Sequence, residues 1–157
     1  MGGAFDLYPR EIQGRRVPYY SSALAAALER RLDAFAQLAT DSGGRLLLLT
    51  TPCFDPSDVF EAQMRTRLTE TQRITWFNER LREYARQHPG VGIIDLHSLV
   101  CRSDRPRVQI GSAEMQSDGI HFTPTGAAAV WRSVSDDLAW WLDPEPMPPV
   151  GAGPPSP

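Results

Sequence analysis

The stretch RLLLLTTP, residues 45–52, decides the fold class of this chain. Its leucines run without a break between Gly43-Gly44 and Pro52, and a short apolar run bounded in this way is typical of a strand buried on both faces. A second run, VGIIDL at residues 91–96, has the same character and carries an acid at its carboxyl end. Strands buried on both faces belong to parallel sheets that helices cover.

Three amphipathic helices are predicted around these two strands. The first begins at Ser21 or Ser22 and ends near Asp41, the second spans about residues 69–87, and the third is capped by Thr123 with Pro124 at its first position. Apolar residues three and four apart form their inner faces: Leu24, Leu28, Leu32, Phe35 and Leu38; Ile74, Phe77, Leu81 and Tyr84; Ala129, Val130, Val134, Leu138 and Trp141. We interpret residues 1–18, 53–68 and 102–117 as loops.

The alternation of helix and strand predicts an α/β domain with a parallel sheet and right-handed crossovers. We find two secure strands and a remnant at residues 1–5, whereas sheets of this kind usually have about five or six. We therefore expect a partial domain over residues 1–143 that lacks its N-terminal strands. Residues 144–157 contain seven prolines, which predicts a disordered tail.

Composition excludes several classes of function. The net charge of −3 and the scattered basic residues give no electrostatic footprint for nucleic acid. All sixteen basic residues are arginine, so Schiff-base and phosphate-loop lysine chemistry are excluded. No apolar run is long enough to span a membrane, and residues 1–6 resemble neither a signal peptide nor a myristoylation motif. We expect a soluble chain whose sequence does not reveal its localisation.

The most informative candidate site is SDGIHFTPTGAAAVW, residues 117–131. A tight turn at Gly119 would bring the Asp118 carboxylate to the ring of His121, directly before the last helix. An imidazole held by a carboxylate is a general base for a hydroxyl nucleophile. The alternative is structural, because Asp-Gly is a common turn pair and a histidine before a helix is often solvated.

This block resembles the last conserved block of the SGNH, or GDSL-like, hydrolases, in which Asp-x-x-His completes a Ser-His-Asp triad. Residues 45–54 and 76–101 are similar to the family's fourth strand and to the helix and strand that follow it. GAFD, residues 3–6, resembles a stretch of the branch fused to membrane acyltransferases that O-acylate cell-surface carbohydrate. The resemblance implies a three-layer α/β/α flavodoxin-like fold, with His121 as general base and Asp118 as its orienting carboxylate.

It also implies a serine esterase or O-acyltransferase that acts on small acyl groups of carbohydrate without a metal or organic cofactor. The resemblance further implies an extracytoplasmic location and, in full-length proteins of this kind, a membrane acyltransferase domain as a possible partner. The chain departs from the family because Gly-Asp-Ser is absent, and Phe5 and Asp6 stand where an oxyanion-binding asparagine is expected. Ser98 is the serine nearest in position, and we interpret it as structural. The alternative function is a non-catalytic remnant or accessory binding module.

The cysteines and the other histidines complete the candidates. Cys53 and Cys101 each follow a predicted strand, so they are either a disulfide or two buried thiols. His88 is predicted to end a helix and His97 to lie on the surface. The three histidines lack metal-site spacing, and no metal is expected. An incomplete sheet would leave a strand edge exposed, which favours self-association.

Overall fold

A computed structural model describes residues 10–12, 14–41, 43–56, 62 and 69–142 of the chain. The GAFD stretch and the proline-rich tail lie outside the described residues. Within them the chain is a mixed helix and strand protein with several small sheets. The helices are α1 (Ser22–Asp41), α2 (Thr71–Gln87), α3 (Leu96–Val100) and α4 (Pro124–Leu142). The strands are β1 (Arg10–Ile12), β2 (Arg15–Val17), β3 (Leu46–Leu49), β4 (Val91–Ile94), β5 (Cys101–Arg102), β6 (Arg105–Pro106), β7 (Gln109–Ile110) and β8 (Ala113–Glu114).

Strands β3 and β4 pair in parallel, which confirms the two strands that the apolar runs predicted. The prediction that the first is buried on both faces was wrong, because Leu46, Leu47 and Leu48 are only half-buried and Leu49 is 47% exposed. The register runs from Leu46 opposite Val91 to Leu49 opposite Ile94. The amide of Thr50 then donates to the carbonyl oxygen of Ile94 at 3.1 Å, one residue beyond the strand. In the part of the chain that the structure describes, these two strands are the whole parallel sheet. Their carboxyl ends therefore lie side by side.

Three antiparallel hairpins lie where we interpreted loops. Strands β1 and β2 pair within residues 1–18, β5–β6 begins one residue before the range 102–117, and β7–β8 pairs within it. Their turns place Gly14, Ser103, Asp104 and Gly111 at positive φ, the conformation that tight hairpins require. The interpretation was wrong because strands of two or three residues are too short to show an alternating pattern.

Two hydrophobic clusters hold the elements together. The first joins α1 and α2 to the face of the sheet that carries Leu46, Leu48 and Val91, and it includes Phe54 from the segment after β3. The second gathers Cys53, Leu96, Val100, Cys101, Met115 and Ala129 beneath α4. Residues 51–56 have no regular secondary structure, yet they contribute to both clusters. The segment after β3 is therefore part of the core.

The predicted inner face of α1 is buried only along part of its length. Leu24 and Leu32 are buried, but Phe35 and Leu38 are 54% and 68% exposed. Helix α1 is about 30 Å long and β3 about 13 Å, so the helix reaches past the strand against which it packs. The prediction for Phe35 and Leu38 was therefore wrong, because a periodic stripe does not show where the covering sheet ends.

The predicted cap of α1 and the predicted inner face of α2 are confirmed, and the inner face of α4 is confirmed in part. Ser21 caps α1, because its Oγ accepts a hydrogen bond from the Leu24 amide at 3.2 Å. On α2 the stripe of Ile74, Phe77, Leu81 and Tyr84 is fully buried. On α4 Ala129 and Val134 are buried, while Val130 and Leu138 are half-buried. No helix in the described residues is both long and apolar enough to cross a membrane.

Candidate functional site

The loop between β8 and α4 brings Asp118 and His121 together. Asp118 Oδ1 accepts hydrogen bonds from the amides of Ile120 at 2.9 Å and His121 at 2.7 Å, which forms an Asx turn. Gly119 takes the positive φ of 75° at the centre of this turn. The other carboxylate oxygen, Oδ2, lies 2.6 Å from His121 Nδ1. One aspartate thus fixes both the backbone of the loop and the ring at its end.

The electrostatics of the pair favour an ionised Asp118 and an Nδ1-protonated imidazole. The hydrogen bond from the His121 side chain, followed by that from the His121 amide, lowers the pKa of Asp118 to about 2. A carboxylate at Nδ1 selects the tautomer that carries its proton on Nδ1 and leaves Nε2 as a proton acceptor. The His121 side chain is 68% exposed, so its ring is accessible to a reactant.

Hydrogen bonds from Gln116 and Thr123 join the two ends of the Asp118–His121 loop. The Gln116 side chain donates to the carbonyl oxygen of Ile120 at 3.1 Å, and the Thr123 amide donates to the carbonyl oxygen of Met115 at 2.9 Å. Thr123 Oγ1 also accepts from the amide of Gly126 at 2.9 Å, which confirms the predicted cap of α4. The helix therefore begins at a fixed distance from His121.

Glycine is required at position 126 because α4 packs directly on β8. A Cβ there would lie 2.5 Å from the carbonyl oxygen of Met115 and 2.8 Å from that of Glu114. Both obstacles are backbone atoms, which cannot rotate away. Sequence reasoning did not single out Gly126 or Gln116, although the glycine one turn into a predicted helix was a visible signal.

The Asp118–His121 loop packs against residues 51–56. The amide of Asp55 donates to the carbonyl oxygen of Gly119 at 2.9 Å, and a Cβ on Gly119 would collide with the Asp55 carbonyl group. Ile120 packs against the cluster that contains Phe54. The position of the Asp118–His121 pair is therefore set by a segment more than sixty residues earlier in the chain.

A polar network links the carboxyl ends of β3 and β4. Thr50 Oγ1 donates to Asp95 Oδ1 at 3.0 Å and accepts from the amide of His97 at 2.8 Å. Arg82 donates to both oxygens of Asp95, at 3.1 and 3.0 Å. Burial alone would raise the pKa of Asp95, but hydrogen bonds from Ser98 and Thr50 and the charge of Arg82 place it below its ordinary value.

Ser98 belongs to this network rather than to the Asp118–His121 pair. Its amide and hydroxyl donate to Asp95 Oδ1 at 3.1 Å and Oδ2 at 2.9 Å, so Asp95 caps α3. Within residues 10–12, 14–41, 43–56, 62 and 69–142, no serine hydroxyl bonds to the His121 ring. Ser98 thus has the structural role that we expected of it.

A disulfide joins Cys53 to Cys101, with 6.0 Å between their Cα atoms. Of the two states that the sequence left open, the structure has the bonded one. The bridge ties the segment after β3 to the start of β5, and both residues are buried. Because it lies two residues from Asp55, it also anchors the segment on which the Asp118–His121 loop sits.

The other histidines lie apart from the pair, each with its own carboxylate neighbour. His88 ends α2, as predicted, where its ring stacks on Tyr84 and lies 3.8 Å from Asp33. His97 was predicted to lie on the surface, but its side chain is only 18% exposed. Its Nε2 lies 4.0 Å from Asp104 Oδ1. Among the residues that the structure describes, no group of three His, Cys, Asp or Glu side chains could hold a metal.

The fold and the site define a mixed helix and strand protein with an accessible carboxylate–imidazole pair in the loop before α4. No family model matches the chain, and no curated protein matches it. Among solved structures, the chain is similar to one described as "a putative platelet activating factor from Streptococcus pneumonia", with a TM-score of 0.53 and 19% identity. The match covers 74% of this chain and 50% of that protein, so this chain corresponds to about half of its length.

Proposed function

We propose that this chain carries the Asp-His part of an SGNH-type domain for acyl-ester chemistry, either hydrolysis or O-acyl transfer of a small acyl group on carbohydrate. The observation that carries the proposal is the 2.6 Å contact between Asp118 Oδ2 and His121 Nδ1, in a loop that a buried segment supports. The resemblance of residues 117–131 to the last SGNH block supports it. The solved neighbour, whose name refers to platelet activating factor, supports a hydrolase-like fold.

The proposal includes a three-layer, flavodoxin-like arrangement. Helices α1 and α2 pack on one face of the β3–β4 pair, and α4 contacts β4 and the β7–β8 hairpin. In open parallel sheets, ligands bind beyond the carboxyl ends of the strands. Thr50 and Asp95 mark those ends, and the segment after β3 reaches from Thr50 to the Asp118–His121 loop. The proposed site therefore lies at the sheet edge where this architecture places chemistry.

In the proposed mechanism His121 is the general base. Its Nε2 accepts the proton of a hydroxyl group while the hydroxyl oxygen bonds to the acyl carbon, and the carbonyl electrons move to oxygen. When the tetrahedral intermediate collapses, the bond to the leaving oxygen breaks and the imidazolium returns the proton to it. Asp118 keeps the ring in the required tautomer and stabilises its positive charge. The hydroxyl belongs to a serine of another segment, to the acceptor or to water.

Hydrolysis of p-nitrophenyl acetate by the chain itself tests the role of His121. We expect His121→Ala to lower the second-order rate constant by roughly 10²-fold or more, the usual contribution of a positioned general base. Asp118→Asn should lower it as well, because the amide can stabilise the wrong tautomer. His88→Ala is the matched control, since His88 is also a partly exposed imidazole beside a carboxylate and exposed imidazoles hydrolyse this ester slowly.

The His88→Ala control distinguishes catalysis at a defined site from the slow hydrolysis that any exposed imidazole causes. Equal, small losses in His121→Ala and His88→Ala would contradict the catalytic role and favour the accessory binding module. In that case binding of an acetylated oligosaccharide, measured by calorimetry, would be the remaining function of the surface around His121. A loss confined to His121→Ala and Asp118→Asn supports the esterase or acyltransferase.

A further inference from the structure

Residues 51–56 have an unusual combination of features. They form neither helix nor strand, yet Thr51, Cys53 and Phe54 are 3%, 2% and 7% exposed. Buried backbone in an irregular segment still needs hydrogen-bond partners for its N–H and C=O groups. Because these residues pair with no neighbouring strand, the partners must come from side chains and loop backbone elsewhere in the chain.

Asn78 supplies both partners for Thr51. It lies on α2 and is 2% exposed. Its Oδ1 accepts from the Thr51 amide at 2.7 Å, and its Nδ2 donates to the Thr51 carbonyl oxygen at 2.9 Å. A carboxamide is the side-chain group that offers an acceptor and a donor side by side, so it clamps one residue's backbone as a neighbouring strand would. The helix thereby fixes the start of the segment.

The rest of the segment carries this constraint to the Asp118–His121 loop. Cys53 is bonded to Cys101, and Phe54 packs in the first hydrophobic cluster. Asp55, four residues after Thr51, donates its amide to the carbonyl oxygen of Gly119. A shift of residues 51–55 would therefore displace the Asp118–Gly119 turn, which holds the carboxylate against the imidazole.

We propose that Asn78 is a positioning residue for His121, acting through the backbone of residues 51–55 on the Asp118–Gly119 turn. This inference rests on the proposed function, because it concerns the geometry of the same pair. Asn78 belongs to the core by burial, but both of its hydrogen bonds go to the segment whose Asp55 amide donates to the Gly119 carbonyl oxygen. Its substitution thus acts on the loop beyond any general loss of stability.

The test compares Asn78→Ala with Leu81→Ala in the oxidised, full chain. Leu81 lies one turn further along α2, is 5% exposed and belongs to the first cluster, so its truncation reports a core cavity on the same helix. The first readout is amide exchange at Asp55. We expect Asn78→Ala to accelerate it roughly tenfold relative to the Thr50 amide, which donates to the Ile94 carbonyl oxygen one residue beyond β3. Leu81→Ala should change the two amides alike.

The second readout is the tautomer of His121, from its ring ¹⁵N shifts. We expect the Nδ1-protonated form to dominate in the natural protein and in Leu81→Ala, and to lose its dominance in Asn78→Ala. If Asn78→Ala folds and leaves both the Asp55 exchange ratio and the His121 tautomer unchanged, the proposal is overturned. If that variant does not fold, Asn78→Asp, which keeps the acceptor for Thr51 but loses the donor, is measured instead and judged by the same outcomes.

Neither readout depends on turnover, so the two proposals fail separately. Ester hydrolysis that is insensitive to His121→Ala removes the catalytic role, whatever Asn78 does. A changed tautomer in Asn78→Ala with a catalytically silent His121 would leave Asn78 as a positioning residue of a binding loop. An unchanged tautomer with an active His121 would remove the role of Asn78 alone.

Discussion

The amide of Asp55 donates a 2.9 Å hydrogen bond to the carbonyl oxygen of Gly119, and the two backbones are in direct contact at that point. The contact joins the segment after β3 to the turn that holds Asp118 against His121. A methyl group at position 119 would collide with its surroundings, since the atoms it would meet belong to the main chain of Asp55 and Pro56. Glycine is therefore required there for space as well as for its φ of 75°.

Gly119→Ala should destabilise the protein and displace the Asp118–His121 loop. The left-handed conformation costs about 1–2 kcal/mol for a residue with a Cβ, and the collision adds about 1–3 kcal/mol of overpacking. Urea unfolding measures the sum, and the hydrolysis rate of p-nitrophenyl acetate measures the displacement. Gly111→Ala is the matched control, because Gly111 has a φ of 60° but no atom within 4 Å of an added Cβ. Equal effects of the two substitutions on stability and rate would refute the steric argument.

The Cys53–Cys101 bridge should contribute substantially to stability. It closes a loop with a sequence separation of 48, for which the chain-entropy model gives about 4 kcal/mol. We expect reductant to lower the urea midpoint of the natural protein and to leave a Cys53→Ala, Cys101→Ala double variant unaffected. Alkylation of unreduced protein under denaturing conditions should modify neither cysteine. Two alkylated thiols in that experiment would show that the bridge is not formed.

Thr50 should matter more to stability than the more conspicuous ion pair of Arg82 with Asp95. Thr50 is 1% exposed, and Thr50→Val would leave the His97 amide without its acceptor, at a cost of about 1–3 kcal/mol. The Arg82 and Asp95 side chains are 42% and 43% exposed, so solvent screening reduces the value of their pair to about 0–1 kcal/mol. Urea unfolding of Thr50→Val and Arg82→Ala compares them directly. A larger loss in Arg82→Ala would reverse the ranking.

What the sequence could predict was local. Thr123 and Pro124 mark the start of α4 because capping depends on neighbouring residues alone. The approach of Asp118 to His121 was equally accessible, since three residues and one glycine determine it. The strands β3 and β4 were visible because their apolar runs are bounded by turn residues on both sides.

What the sequence did not show depends on contacts between distant residues. Nothing in the composition of α2 distinguishes Asn78 from a solvated asparagine, and its partner Thr51 lies 27 residues earlier. The choice between a disulfide and two thiols required the distance between two loops. The exposure of Phe35 required the length of the sheet beneath α1. In each case the local sequence identified an element or a residue type, but not the residues that lie next to it in the fold.

The stability of the chain should depend on the ionisation of Asp118 in acid. The hydrogen bond from His121 lowers the pKa of this carboxyl from its ordinary 3.8 to about 2 in the folded protein. Because the folded pKa is the lower one, the stabilisation is fully present above the ordinary value and is lost as the pH falls from there through about 2. Asp118→Asn removes this contribution, so the difference in urea midpoint between the natural protein and the variant should shrink as the pH falls over that interval. Asp137→Asn, which removes a carboxyl from α4 instead, is measured alongside as the control for the loss of one negative charge. A difference between the natural protein and Asp118→Asn that stays constant through the acid range would mean that the carboxylate and the imidazole do not interact in solution.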